Sequence, residues 1–227
     1  MKISIITTCF NREATIGQAI ESVLAQNYPD LEYIVVDGAS RDRSLSVIGQ
    51  YRNRIDRIIS EPDHGMYEAI NKGIRAATGD IIGLLHSDDF LFDAHVLSDL
   101  VACFERSGAD IVYGNGLFVD TKQTDRIVRN WVSGAFHPWK VRCGWLPLHP
   151  TVYVRREVME RTGPYDERYR IAADTDFLLR CLLNTSWRVE FLDRFIVRSR
   201  RGGRFIDPAL WKKRCGGWRV SVAWTCV

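Results

Sequence analysis

Two adjacent carboxylates, Asp88 and Asp89, close the run Gly79-Asp80-Ile81-Ile82-Gly83-Leu84-Leu85-His86-Ser87-Asp88-Asp89. Its apolar middle has the length of a buried strand, so two negative charges arrive at the carboxyl edge of a sheet, where open α/β sheets hold ligands. Neighbouring carboxylates repel, and a hard divalent cation such as Mg²⁺ or Mn²⁺, shared with substrate phosphates, would relieve that repulsion. The alternative is that both are turn residues capping the next helix. Similar groups follow the earlier strand-like runs: Thr8 and Asn11, then Asp37-Gly38-Ala39-Ser40, then Glu61-Pro62-Asp63-His64-Gly65. Hydroxyls, amides and carboxylates together with a cation suit a nucleoside diphosphate, with carboxylates on the base or ribose and the cation on the phosphates. Each turn alone also reads as a helix cap, Ser40 most readily and Asn11 less so; the four together are harder to explain that way.

The elements that must position these groups alternate from the first residue. Ile3 to Thr7 reads as a buried strand, followed by a helix from about Glu13 with Ile16, Ala19, Ile20, Val23 and Leu24 at helical spacing. Tyr33 to Val36 is a second strand, Asp42 to Asn53 a helix and Arg57 to Ser60 a third strand. A helix carrying Met66, Ala69, Ile70, Gly73, Ile74 and Ala77 on one face is expected to close at Gly79 as a C-terminal cap. The strand Ile81 to Leu85 follows, then a helix from Ala94 to Arg106 and a strand Asp110 to Tyr113. This order predicts an α/β fold, a single mostly parallel sheet flanked by helices, with all four turns on one edge. From Gly114 to Pro150 the pattern loosens into short extended pieces forming the wall of a site, and helical signals return at Arg155 to Arg161 and Asp174 to Leu183.

Composition excludes several classes. A hydrophobic content of 46% and a charged content of 26% are those of a soluble globular protein. No signal peptide or membrane-spanning run is expected, which points to a cytoplasmic protein. Six scattered cysteines without a C-x-x-C pair argue against a zinc site or a disulfide framework and read as reduced, mostly buried thiols. The first turn, Thr7-Thr8-Cys9-Phe10-Asn11-Arg12, lacks the glycines of a dinucleotide-binding loop, which sets a dehydrogenase aside. Residues 194–227 hold nine Lys/Arg and one acid, against a net charge of +3 for the chain.

The runs I-I-T-T-C-F-N-R, I-V-V-D-G-A-S, E-P-D-H-G-M-Y-E-A-I-N-K-G-I and A-T-G-D-I-I-G-L-L-H-S-D-D, in this order, resemble the family 2 glycosyltransferases. The small bacterial polysaccharide enzymes, such as those of colanic acid synthesis, are the most similar. The resemblance covers about residues 2 to 205. It implies a GT-A fold, with a nucleotide-sugar half over 1–113, an acceptor-side half over 114–205 and a basic, Trp-rich tail over 206–227. It implies a nucleotide-diphosphate sugar donor (UDP- or GDP-linked), a glycan or lipid-linked acceptor, and inversion at the anomeric carbon. By position, Thr8 and Asp37 would touch the nucleoside, Asp63 and Gly65 would lie beside the donor, and Asp88 with Asp89 would fill the metal-and-diphosphate motif. Asn11 joins this donor set. The chain has His86 where the family often has an acid, and Ile70 where many members have Arg, so Lys72 or the tail would supply charge to the diphosphate.

Inverting transfer needs a general base for the acceptor hydroxyl. The resemblance places it at Asp174, in Tyr169-Arg170-Ile171-Ala172-Ala173-Asp174-Thr175-Asp176. Taken alone, Asp174 could equally be a helix N-cap. Asp176, two residues on, points away from it and reads as a salt-bridge or helix-dipole residue. His149 and Trp145 are candidates for the acceptor side. His149 could instead be a turn histidine, and packing is expected for at least one of Trp139 and Trp145. The basic and aromatic tail beyond Arg200-Arg201-Gly202-Gly203 suggests peripheral contact with an anionic inner leaflet or a solvated end; no nucleic-acid module is present. Two rival functions remain, a degenerate GT-A binding or scaffolding protein and a sugar nucleotidyltransferase, although the latter should carry a glycine-rich basic loop after strand one.

Overall fold

The computed structural model describes residues 1–200. The expected tail features, including Gly202-Gly203 and the Trp-rich segment, lie outside them. The first half is built from β1 (Ile3–Cys9), α1 (Ile16–Leu24), β2 (Leu31–Asp37), α2 (Ser44–Gln50), β3 (Arg57–Ser60), α3 (Met66–Ala76) and β4 (Ile81–His86). β5 (Asp89–Leu91), α4 (Val96–Ser107), β6 (Ile111–Val119), β7 (Ile127–Trp131), α5 (Pro138–Arg142), β8 (Val152–Arg155), α6 (Arg156–Thr162), α7 (Ala173–Leu182) and β9 (Val189–Arg200) follow.

The strands form a single sheet in the order β3-β2-β1-β4-β8-β6-β9-β5, with β7 on β6. β3, β2, β1 and β4 run parallel, so their carboxyl ends share one edge. β8 runs antiparallel between β4 and β6, while β9 lies parallel to β6.

Alternating side chains on β1, β2 and β4 pack both faces, as the period of two requires. Ile3, Ile5, Tyr33, Val35, Ile81 and Leu85 join α1, α2 and α4 in one core. Ile6, Ile34, Val36, Ile82 and Leu84 join α3, α6 and α7 in the other, where Ile70 is a buried core residue. At Gly83 of β4 a Cβ would strike the ring of Tyr153 on β8, and at Gly73 of α3 it would strike Ile6 on β1 and approach Val36 on β2.

Two local expectations are corrected. Gly79 does not cap α3: the helix ends at Ala77 in extended backbone, and Gly79 is small because Ser4 approaches it, the Gly79 amide donating to Ser4 Oγ at 2.8 Å. β6 continues to Val119 through Gly114 and Gly116, where Ile196 and Leu148 occupy the space their missing side chains leave.

Candidate functional site

The carboxyl edge of β1–β4 collects the predicted turns, and they are tied to one another. Asp37 is fully buried at the end of β2. Its Oδ1 accepts from Ser40 Oγ at 2.5 Å, and its Oδ2 accepts from the Ser40 amide and Ser60 Oγ, both at 3.0 Å. Ser40 Oγ accepts from the Asn11 amide at 2.9 Å, and Asn11 Oδ1 accepts from the Arg41 amide at 2.8 Å. Ser40 and Asn11 therefore cap no helix; they lace the first turn to the second. Thr8 is buried in β1, in register with Val36 and His86.

The third turn seats its acid against this pair. Asp63 lies where a side chain on Gly38 would stand, and its Oδ1 accepts from the Gly65 amide at 3.0 Å. Burial pushes the Asp63 carboxyl up. Gly65 opens α3 at φ 152°, a conformation open to glycine and poorly accessible to other residues.

Lys72 does not face this opening. Its ammonium bridges Glu61 at 3.1 Å and Glu68 at 3.0 Å and donates to the Pro62 carbonyl at 2.9 Å. All three donors of an ammonium are thereby used within the third turn and α3.

At the fourth turn the two carboxylates part company. Asp88 is half-buried, whereas Asp89 is buried at the start of β5, opposite Ser199 of β9. Burial pushes the Asp89 carboxyl up to about 6; the Asp88 charge adds to this, while His86, Ser199 and Arg200 oppose it. Arg200 Nη1 donates to the Asp88 carbonyl at 2.6 Å, so a guanidinium already stands at this turn.

Among the described residues no three His, Cys, Asp or Glu side chains form a metal cluster by themselves. One half-buried and one buried carboxylate nevertheless fit a hard cation that keeps its waters and takes its remaining ligands from phosphates.

The catalytic candidate comes from the second half of the chain, on α7, which covers the same face of the sheet as α3. Asp174 is the second residue of α7, after the N-cap Ala172, which offers no side-chain acceptor. The capping alternative is thereby removed. Asp174 Oδ1 accepts from Tyr67 Oη at 3.3 Å and from the Thr175 amide at 2.8 Å. Asp176 instead pairs with Arg180 at 2.9 Å, as expected.

His149 starts a single 3₁₀ turn before β8. It stacks on His86 with ring centroids 5.9 Å apart, and its Nε2 lies 2.9 Å from Tyr165 Oη. Burial pulls the His149 imidazole down to about 4, against the favourable field of Asp174 and with the added repulsion of His86. The His86–His149 stack joins the Asp88 turn to the Asp174 side.

Trp145 packs edge-on against Tyr113 beneath Lys140, while Trp139 is exposed. Tyr67 and Tyr165 were missed from sequence; both stand beside recognised motifs, but nothing local pairs Tyr67 with a residue 107 positions away.

Among the described residues the non-glycine positions with positive φ are Asn11, Ala39 and Ala172. All three border this constellation, in keeping with the clustering of backbone strain at functional sites.

The family model for Glycosyl transferase family 2 matches residues 4–160. A PGL/p-HBAD biosynthesis glycosyltransferase of Mycobacterium bovis is 32% identical over 185 residues, covering 80% of this chain and 70% of that protein. An uncharacterized glycosyltransferase of Nostoc sp. is 33% identical over 187 residues, covering 77% of this chain and 57% of its own length. Among solved structures, S. aureus TarS 1-349 in complex with UDP-GlcNAc superposes with a TM-score of 0.74 at 21% identity, covering 89% of this chain and 59% of that one. The mannosyltransferase PcManGT from Pyrobaculum calidifontis, in complex with GDP-Man and Mn²⁺, gives a TM-score of 0.62 at 18% identity, covering 86% and 56%. The chain thus spans little more than half the length of these solved neighbours. No helix of the described residues is long and apolar enough to cross a membrane. The sheet order, the turns on its edge and these matches lead to one conclusion: the chain belongs to glycosyl transferase family 2 and has the GT-A fold.

Proposed function

We propose that this glycosyltransferase is inverting and metal-assisted, moving a sugar from a UDP- or GDP-linked donor to a glycan or lipid-linked acceptor. The observation that carries the reading is the stacked His86–His149 pair, which joins the Asp88-Asp89 turn to the side that holds Asp174. Solved neighbours in complex with UDP-GlcNAc and with GDP-Man and Mn²⁺ support the donor class. Residues 1–113 would form the donor half, and the segment from 114 to about 205 the acceptor half.

Asp37, fixed by two serines, would receive the nucleoside together with Thr8 and the Asn11 turn. Asp63 and Gly65 would lie beside the sugar. Asp88 and Asp89 would hold a divalent cation, which when bound offsets charge on the leaving diphosphate. Asp174 would take the acceptor's hydroxyl proton as that oxygen attacks the anomeric carbon and the bond to the diphosphate oxygen breaks. His149 and the half-buried Trp145 would shape the acceptor side.

The test is Asp174→Asn. The variant is expected to bind nucleoside diphosphate with Mn²⁺ as the parent does in calorimetry, while transfer falls by about a thousandfold. Undiminished transfer rejects the assignment.

A further inference from the structure

The phenol of Tyr67 occupies a place that the proposed chemistry does not account for. Tyr67 lies in the first turn of α3, is 6% exposed and stacks on Tyr165 at 6.1 Å between ring centroids. Tyr165 is itself buried, stacked on Phe177 of α7 at 4.4 Å and joined to His149. These rings fix where the Tyr67 hydroxyl points. It donates to Asp174 Oδ1, and its oxygen faces the backbone amides of Ala172, Ala173 and Asp174 at the start of α7.

An α-helix begins with amides that lack intrahelical partners, usually met by an N-cap side chain. Ala172 has none to offer. The phenol oxygen lies close to these amides from a different helix, and in the same position its hydroxyl donates to the carboxylate. With Oδ1 held by Tyr67 and the Thr175 amide, Oδ2 takes no hydrogen bond among the described residues. Two donors on one oxygen fix the rotamer of the carboxylate.

Resting on the reading of Asp174 as the base, we infer that Tyr67 is its positioning residue: a phenol on α3 that orients the carboxylate and leaves Oδ2 to receive the acceptor proton. The proton passes from the acceptor hydroxyl to Oδ2; that hydroxyl oxygen bonds to the anomeric carbon, and the electron pair of the broken bond leaves with the nucleoside diphosphate. Tyr67 keeps its own proton throughout. α3 also starts at Gly65, next to Asp63, so one helix fixes both the donor-side turn and the base.

Tyr67→Phe keeps the ring stack and removes the hydroxyl. It is expected to lower kcat about tenfold or more with donor KM little changed. In an Asp174→Asn background the same change should cost nothing further. A difluorotyrosine at position 67, which keeps a hydroxyl donor of nearly the same shape, should keep the parental kcat. Parental kcat in Tyr67→Phe, a loss in the difluorotyrosine variant equal to that of Tyr67→Phe, or an additive loss in the double variant overturns the inference. If Asp174→Asn abolishes transfer while Tyr67→Phe behaves as the parent, only this inference fails; full activity in Asp174→Asn instead removes the base assignment beneath it.

Discussion

His149 offers a direct measurement of how the centre is held together. Burial, together with the neighbouring His86, lowers its imidazole from 6.5 to about 4 in the folded protein, although Asp174 pulls the other way. The unfolded chain therefore takes up a proton at this residue before the folded one does. Its contribution to stability is complete above pH 6.5, is lost as the pH falls towards 4, and is gone below that value. At about 1.4 kcal/mol per pH unit, the interval corresponds to at most about 3.5 kcal/mol. Allowing for the part of the ring that still meets solvent, we expect about 2 kcal/mol.

The perturbation is His149→Gln, which keeps a group able to bond Tyr165 but cannot gain the proton. Urea unfolding at a series of pH values from 7.5 to 4 would be measured for both proteins. The parent should lose stability over the window from 6.5 to 4 by about 2 kcal/mol more than the variant does. Parallel curves for the two proteins across that window would refute the reasoning, because His149 would then bind its proton equally in both states.

Two further outcomes follow from packing. Gly83→Ala should destabilise the fold by about 2–3 kcal/mol, since its Cβ strikes the Tyr153 ring between β4 and β8; an unchanged urea midpoint contradicts this. Tyr153→Phe should be neutral or stabilising by about 1 kcal/mol, because the buried Tyr153 hydroxyl has no hydrogen-bond partner among the described residues; a clear loss of stability would show that the hydroxyl is satisfied after all.

What the sequence disclosed depended on range. The strand–turn signals of the first half were local, so β3 falls on Arg57 to Ser60 as expected and the four turns share one edge. Asp176 found its partner one helical turn away, a spacing visible in the chain. Glycines misled where their cause was distant. The sequence pattern loosens from Gly114, yet Gly114 and Gly116 lie within β6 because side chains of β9 and of the segment before β8 fill the space beside them.

Long-range polar contacts were equally hidden. Lys72 was expected to serve the donor by its charge, but Glu61 and Glu68 claim it. The Arg200 guanidinium at the Asp88 turn comes from 112 residues away. Tyr67 meets Asp174 only because α3 and α7 cover the same face of the sheet.

Gly73 carries a consequence for how this enzyme could be changed. The absent side chain lets α3 lie directly on Ile6 and Val36, so even an alanine there would lift or roll the helix. Tyr67 and Gly65 lie within eight residues of that seat, and a shift of the axis would displace both at once. Redesigning α3 would therefore disturb the Asp63 turn and the Asp174 side in the same stroke. The exposed turn residues Asn11 and Arg41 lie outside α3 and leave the helix seat untouched. Directed evolution of specificity should find its productive variants there, with position 73 held fixed.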